Sequence, residues 1–264
     1  MSRYEAIRYE IQDQVAWLTL NRPDARNAIN DVMREELFQA LEDARTNPDV
    51  RCLVLTAAGK GFCTGADLSG RGSGGPTGPG AAREMMRTRS QRLVRTLWDL
   101  EKPVIAAVNG VAAGVGCHLA FACDLVIAAA EARFIEVFAR RGLMIDGGGA
   151  YLLPRLIGLA KAKELVFFAD DLPAEEALRI GLVNKVVPGA ELDAAARAWA
   201  TRLAQGPTFA LGMSKRLMNR SLESDFETSL EEEAMAVSLV TQSEDVQEGM
   251  TSFMERRQPV FKGR

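Results

Sequence analysis

The groups in this chain that can do chemistry gather in residues 103–149, PVIAAVNGVAAGVGCHLAFACDLVIAAAEARFIEVFARRGLMIDGGG. His118, the only histidine among 264 residues, follows the glycine-spaced turn NGVAAGVG. Asp146 closes the stretch, set against three glycines. A strand, a glycine turn and a helix in succession aim backbone N–H groups from a helix N-terminus, where negative charge is stabilised. An imidazole can hold or pass a proton, and a carboxylate can take one and return it. A second glycine-bearing loop, GKGFCTGADL, lies upstream at 59–68.

The elements that must position these groups follow from the apolar pattern. Ile7 to Ile11 and Val15 to Leu20 read as a strand hairpin. Asp31 is expected to cap a helix in which Met33, Leu37, Leu41 and Ala44 recur at helical spacing, and Asn47-Pro48 stops it. RCLVLT, PVIAAV and DLVIAAA are short buried strands. Ala82 to Leu100 is an amphipathic helix with Met86, Leu93, Leu97 and Leu100 on its apolar stripe. Residues 70–80, GRGSGGPTGPG, are expected to form a mobile loop without packed structure. Helices are expected at 151–158 and 160–169, separated by Gly158, and LVNKVV reads as a strand. From Leu192 the pattern is helical, with breaks at Gly206-Pro207 and around 221–225. This divides the chain into an α/β core over 1–200 and a helical region over 201–264. Such a region must dock on its own core or on a neighbouring subunit, and an oligomer is expected.

Composition narrows the classes. A hydrophobic content of 47% over 264 residues suffices for a large core. The net charge of −3 gives no broad electrostatic case for nucleic acid or an anionic membrane as partner. The arginines at 83, 87, 89, 92 and 95 form a local basic face that reads as a solvated helix surface. Cys52, Cys63, Cys117 and Cys123 show no paired spacing and read as free thiols in a reducing compartment. With one histidine and no clustered ligands, no metal site is expected. The N-terminus MSRYEAIRYE lacks the apolar segment of a secretory signal, and no apolar run reaches membrane-spanning length. The expectation is a cytoplasmic protein.

NRPDARNAIN, GKGFCTGADL, KPVIAAVNGVAAGVGCHLAFACDLVIA, GLMIDGGGAYLLPRLIG and SFMERRQPVFKGR together resemble the crotonase superfamily, the enoyl-CoA hydratase/isomerase family, over nearly the whole chain. The resemblance implies a spiral of β-β-α units followed by a C-terminal helical trimerisation region, assembled as a homotrimer or a dimer of trimers. It implies an acyl-coenzyme A substrate, with coenzyme A part of that substrate and no separate cofactor. It also implies an oxyanion hole for a thioester enolate, made by the backbone N–H groups of Ala66 and Val115. By position in the motifs, coenzyme A contacts fall at Arg26 and Ala28 and along Ala66, Asp67 and Leu68. The residues agree in kind: both donor positions are flanked by glycine and the second opens a helix. Such fixed donors are worth about 3–4 kcal/mol each in one measured enzyme.

The sequence departs from the hydratase pattern at two places. Where hydratases of the family carry two glutamates that hold water, this chain has His118 and, 20 residues on, Phe138. Phenylalanine can neither hold nor deprotonate water. Glu136 lies two residues away, which along a strand restores the same face. Asp146 stands where isomerases of the family carry an aspartate, and a single carboxylate can move a proton between two carbons of an enolate. The resemblance therefore implies an enoyl-CoA isomerase with Asp146 as acid/base and His118 as a further catalytic candidate. A structural role is open for each: Asp146 as the cap of the following helix, His118 as a packed residue. The alternatives are a hydratase with a non-standard water site built from His118 with Glu136 or Asp146, and an acyl-CoA binding protein without turnover. Hydrolytic substitution with the aspartate as nucleophile stands further off.

Overall fold

The computed structural model describes residues 4–69 and 78–264; of the expected mobile loop at 70–80, residues 70–77 lie outside the described residues. In chain order the elements of the first half are β1 (Ile7–Gln12), β2 (Val15–Leu20), α1 (Asp31–Thr46), β3 (Cys52–Ala57), β4 (Gly61–Cys63), α2 (Ala81–Met86), α3 (Arg92–Trp98), β5 (Val104–Val108), β6 (Val111–Ala113) and α4 (Val115–Phe121). There follow β7 (Leu125–Ala129), β8 (Arg133–Ile135), α5 (Gly149–Ile157), α6 (Leu159–Phe168), β9 (Leu172–Pro173), α7 (Ala174–Arg179) and β10 (Lys185–Val187). The chain ends in α8 (Leu192–Ala204), α9 (Thr208–Ser221), α10 (Phe226–Val240) and α11 (Glu244–Glu255).

The strands form two sheets. One has the order β1-β2-β3-β5-β7-β10, the other β4-β6-β8-β9. Each successive unit gives its first strand to the first sheet and its second to the other, as β3 then β4, β5 then β6, β7 then β8. Between successive units the pairing is parallel, and the chain winds as a spiral of β-β-α repeats. The hairpin of β1 and β2 is antiparallel and stays in one sheet. Parallel strands covered on both faces need continuous apolar runs. β5, VIAAV, is buried at every position, and β7, LVIAA, at all but the first.

Local chemistry sets the helix ends. The cap of α1 is Asn30 rather than the expected Asp31. Asn30 is the extended residue, and its side chain accepts from the Met33 N–H at 2.9 Å. Asp31 is already helical, and its carboxylate pairs with Arg34. The expected helix over 82–100 begins at Ala81 and carries a π-helical segment, Arg87–Gln91, between α2 and α3. Gly158 separates α5 from α6 at φ +79°.

The helical region divides in its attachment. α8, which spans the expected boundary at 200–201, packs on β3, β5 and β7. α9 is tied to the core by Lys215, which donates to the Asp124 carboxylate at 2.9 Å. Arg51 donates to the Thr208 hydroxyl at 2.9 Å and to the Phe261 carbonyl at 2.9 Å, fastening the C-terminal segment. α10 and α11 leave large apolar side chains in the open, with Phe226 73% and Phe253 81% exposed. Among the described residues no helix is long and apolar enough to cross a membrane.

Candidate active site

The two proposed oxyanion donors come from different units of the spiral. Val115 opens α4 directly after Gly114, whose φ of +54° turns the chain from β6 into the helix. Ala66 lies on the loop after β4, in an isolated parallel bridge with Ile29. Gly65, at φ +87°, brings that loop against the start of α4. A side chain there would meet the Ala113 carbonyl at 2.9 Å and the Val115 nitrogen at 3.5 Å. The glycine spacing thus serves a close approach of two backbones.

The residues expected to contact coenzyme A form one surface. The Ile29 N–H donates to the Gly65 carbonyl at 2.8 Å, and the Asp67 N–H to the Ile29 carbonyl at 3.0 Å, so the loops at 26–30 and 64–69 run side by side. Arg26 and Ala66 are exposed, Ala28 is half-buried, and Leu68 is exposed. Asp67 serves this surface as an anchor. Its carboxylate accepts from the Ser69 hydroxyl at 2.5 Å, the Ser69 N–H at 3.0 Å and the Arg22 guanidinium at 2.9 Å. These contacts, the Ser69 hydroxyl first, hold its pKa down at about 2.

Arg22 and Asn27 are the supporting residues that sequence reasoning missed. Arg22 also donates to the Ala28 carbonyl at 2.6 Å. Asn27 is fully buried, and its amide donates to the Ala58 and Gly61 carbonyls at 2.9 Å each. The positive φ of Arg26 (51°) and Asn27 (54°) marks the tight turn these bonds hold. The signal available was the run of turn-forming residues in NRPDARNAIN.

His118 is fully buried on the second turn of α4. Its Nε2 lies 3.1 Å from Glu136 Oε2, and Glu136 is itself 4% exposed. Phe138 stacks on the imidazole, with centroids 5.6 Å apart and planes 11° from parallel. β8 ends at Ile135, so Glu136 and Phe138 follow the strand instead of sharing a strand face. Both nevertheless meet His118, one at the ring edge and one at the ring face. Below the donor loops Cys63 and Cys117 are buried; burial pushes the Cys63 thiol up to about 12 and the Cys117 thiol well above its ordinary range. They are inert packing groups.

Asp146 is half-buried on the turn leading into α5. It is not the side-chain cap of that helix: the N-cap is Gly148, and no side chain caps it. The Asp146 carbonyl instead accepts from the Gly149 N–H at 3.0 Å. Gly147, at φ +54°, faces Val115, His118 and Ser90. A Cβ there would lie 3.1 Å from Val115 Cγ2, 3.4 Å from His118 Nδ1 and 3.7 Å from Ser90 Cβ. Gly149 lies flat against the imidazole, where any side chain would overlap it. The site therefore places the Asp146 turn beside both Val115 and His118. A cleft of about 630 Å³, edged by Gly148, Val94, Trp98, Tyr151, Leu152 and Asn219, opens between α3, α5 and α9. Among the described residues no cluster of three or more metal-ligating side chains occurs.

The mixed α/β spiral and the two glycine-flanked loops that meet at the start of α4 are those of the crotonase type. The family model described as enoyl-CoA hydratase/isomerase matches residues 10–264. The 1,2-epoxyphenylacetyl-CoA isomerase of Escherichia coli is 41% identical over 261 residues, covering 98% of this chain and 99% of that protein. The crotonyl-CoA hydratase of Syntrophomonas wolfei is 39% identical over 259 residues, covering 98% of each. Among solved structures, the enoyl-CoA hydratase/isomerase of Cupriavidus metallidurans superposes with a TM-score of 0.93 at 34% identity, covering 100% of this chain and 98% of that one. The chain belongs to the enoyl-CoA hydratase/isomerase family.

Proposed function

We propose that this family member is an enoyl-CoA isomerase that moves a double bond along an acyl thioester through an enolate. The observation that carries the reading is the stack of Phe138 on His118, with the Asp146 turn packed beside the imidazole through Gly147. An apolar ring covers the imidazole where hydratases of the family hold water between two glutamates, while the nearby Asp146 turn brings one carboxylate for acid/base work. The isomerase name of the Escherichia coli relative supports this.

In the proposed reaction the thioester carbonyl oxygen lies between the N–H groups of Ala66 and Val115. The Asp146 carboxylate takes a proton from a carbon of the acyl chain, and the electron pair moves onto the carbonyl oxygen as an enolate. The two N–H groups stabilise the charge as it forms. Asp146 then returns the proton at the other end of the conjugated system. Proton in and proton out balance, so neither water nor a separate cofactor is consumed. Coenzyme A is held along Arg26, Ala28, Asp67 and Leu68, and the exposed apolar faces of α10 and α11 are covered by other copies in a homotrimer or a dimer of trimers.

The test is conversion of a 3-enoyl-CoA to its conjugated 2-enoyl isomer. Asp146→Asn is expected to lower kcat by about 10²–10⁴-fold while coenzyme A binding persists. Full turnover by that variant would remove the basis of the reading. A second reading, hydration with His118 as the water-holding group, is favoured by the buried His118–Glu136 pair and by the hydratase name of the Syntrophomonas relative.

A further inference from the structure

We propose that the open face of α6 is the seat for α10 of a second copy of this chain, so that copies meet head to tail; this rests on the reading that other copies cover α10. On α6 the exposed Leu159, Lys163 and Phe167 recur every fourth residue and share one side of the helix. Phe167 and the adjoining Phe168 are 67% and 69% exposed. The turn Ala139–Arg141 packs beside α6, and Arg141, Leu143 and Met144 are exposed there as well. The face is therefore apolar and basic together. Arg140 is held by Asp171 at 2.9 Å and Lys161 by Glu164 at 2.7 Å, but among the described residues no carboxylate pairs with Arg141 or Lys163.

α10 carries the complement. Residues 221–255 contain no Lys or Arg. Phe226, Leu230 and Val237 lie exposed at helical spacing on α10, with Glu227 and Glu231 along the flank of that stripe. Glutamates four residues apart repel each other on a helix. Among the described residues no cation pairs with either, whereas Glu232 is held by Arg220 at 2.6 Å. The two faces do not cover each other within one chain, because α10 packs on α9 and both stripes stay exposed.

Charge decides which contact forms between copies. α10 against α10 would set glutamate against glutamate, and α6 against α6 would set Lys163 against Lys163; like charge opposes both. α10 against α6 joins two apolar stripes and brings acids to the cations that lack them. A second basic face, with Arg83 and Arg87, lacks the apolar half: no large apolar side chain stands exposed among residues 81–98. A contact between unlike faces repeats from copy to copy and can close into a ring.

Sedimentation of charge-reversed variants tests this, since the side chains concerned are all exposed. Arg141→Glu with Lys163→Glu, and separately Glu227→Lys with Glu231→Lys, are each expected to weaken association at least about 100-fold, with circular dichroism of the core unchanged. A chain carrying both pairs restores opposite charges across the contact and should sediment as the wild type. Arg83→Glu with Arg87→Glu should leave the assembly intact. Wild-type association in either single pair, a folded combined variant that stays dissociated, or dissociation caused by the Arg83 and Arg87 pair alone would overturn the proposal. Should a reversal unfold the chain, Glu227→Gln with Glu231→Gln decides instead: association about tenfold weaker is expected, and unchanged association would overturn it. A monomeric wild type would sink the reading that copies cover α10. An assembled wild type indifferent to every reversal would sink only the α6 seat.

Discussion

The site region and the distal helices solve opposite problems with similar apolar content. Around α4 every side chain from Val115 to Phe121 is buried, and the neighbouring backbones approach so closely that glycine is needed where they touch. In α10 and α11 the caps are well made, with Asp225 accepting from the Thr228 N–H and Ser243 from the Val246 N–H, each three residues on. Their apolar faces, however, are open: Met235, Phe253 and Met254 are mostly exposed. The candidate site residues all lie on the core of one chain. The distal helices are locally stable elements with unfinished packing. Chemistry can therefore be disabled without touching assembly, and assembly without touching the donors.

Breaking the site should give the largest effects, and the Asp146→Asn loss stated above is the extreme case. It should leave the oligomer, measured by sedimentation, as in the wild type. Next comes the joint between the two regions. Lys215→Met leaves the Asp124 carboxylate in a mostly buried place without its cation, a loss of about 3 kcal/mol by analogy with other buried pairs, read by denaturant unfolding. Burial already raises the Asp124 pKa, with Lys215 opposing it. A raised carboxyl favours the folded state least once ionised. Removing Lys215 should therefore make stability fall more steeply as pH rises past the ordinary carboxylate range, and a flat profile would contradict the role of the joint.

A charge on the open face sharpens the contrast from the other side. Phe253→Glu should reduce the assembly to smaller species in sedimentation, with circular dichroism of the core unchanged. A wild-type chain that already sediments as a monomer would contradict the account of α11. The smallest expected effect is local. Ser69→Ala should let the Asp67 carboxyl titrate above its present value of about 2, as followed by NMR. The folded pKa is depressed, so this contribution to stability is present above the ordinary value of 3.8 and is lost as pH falls toward 2.

Much of this contrast is legible in the sequence, and the reasons are local. Continuous apolar runs announced β5 and β7, and glycine spacing marked the loops at 59–68 and 109–116. What the sequence withheld is tertiary or a matter of one residue. Asn30 and Asp31 are both good caps, and only the extended backbone at Asn30 decides between them. The π-helical segment at 87–91 leaves no mark in the apolar stripe. The meeting of His118 with Glu136 and Phe138 depends on β8 ending at Ile135 and the chain turning back over α4, which no periodicity encodes. Arg22 looked like one more loop arginine until Asp67, 45 positions away, was seen beside it.

In the proposed reaction, paired N–H donors and Asp146 make an enolate without adding water. Incubation of the protein with a panel of enoyl- and acyl-CoA thioesters in heavy water, read by mass spectrometry, tests it most directly. Deuterium is expected to enter carbons of the acyl chain with no mass gain from hydration, and not to enter with Asp146→Asn. Addition of one water to the substrate, or deuterium entry undiminished in that variant, would contradict it.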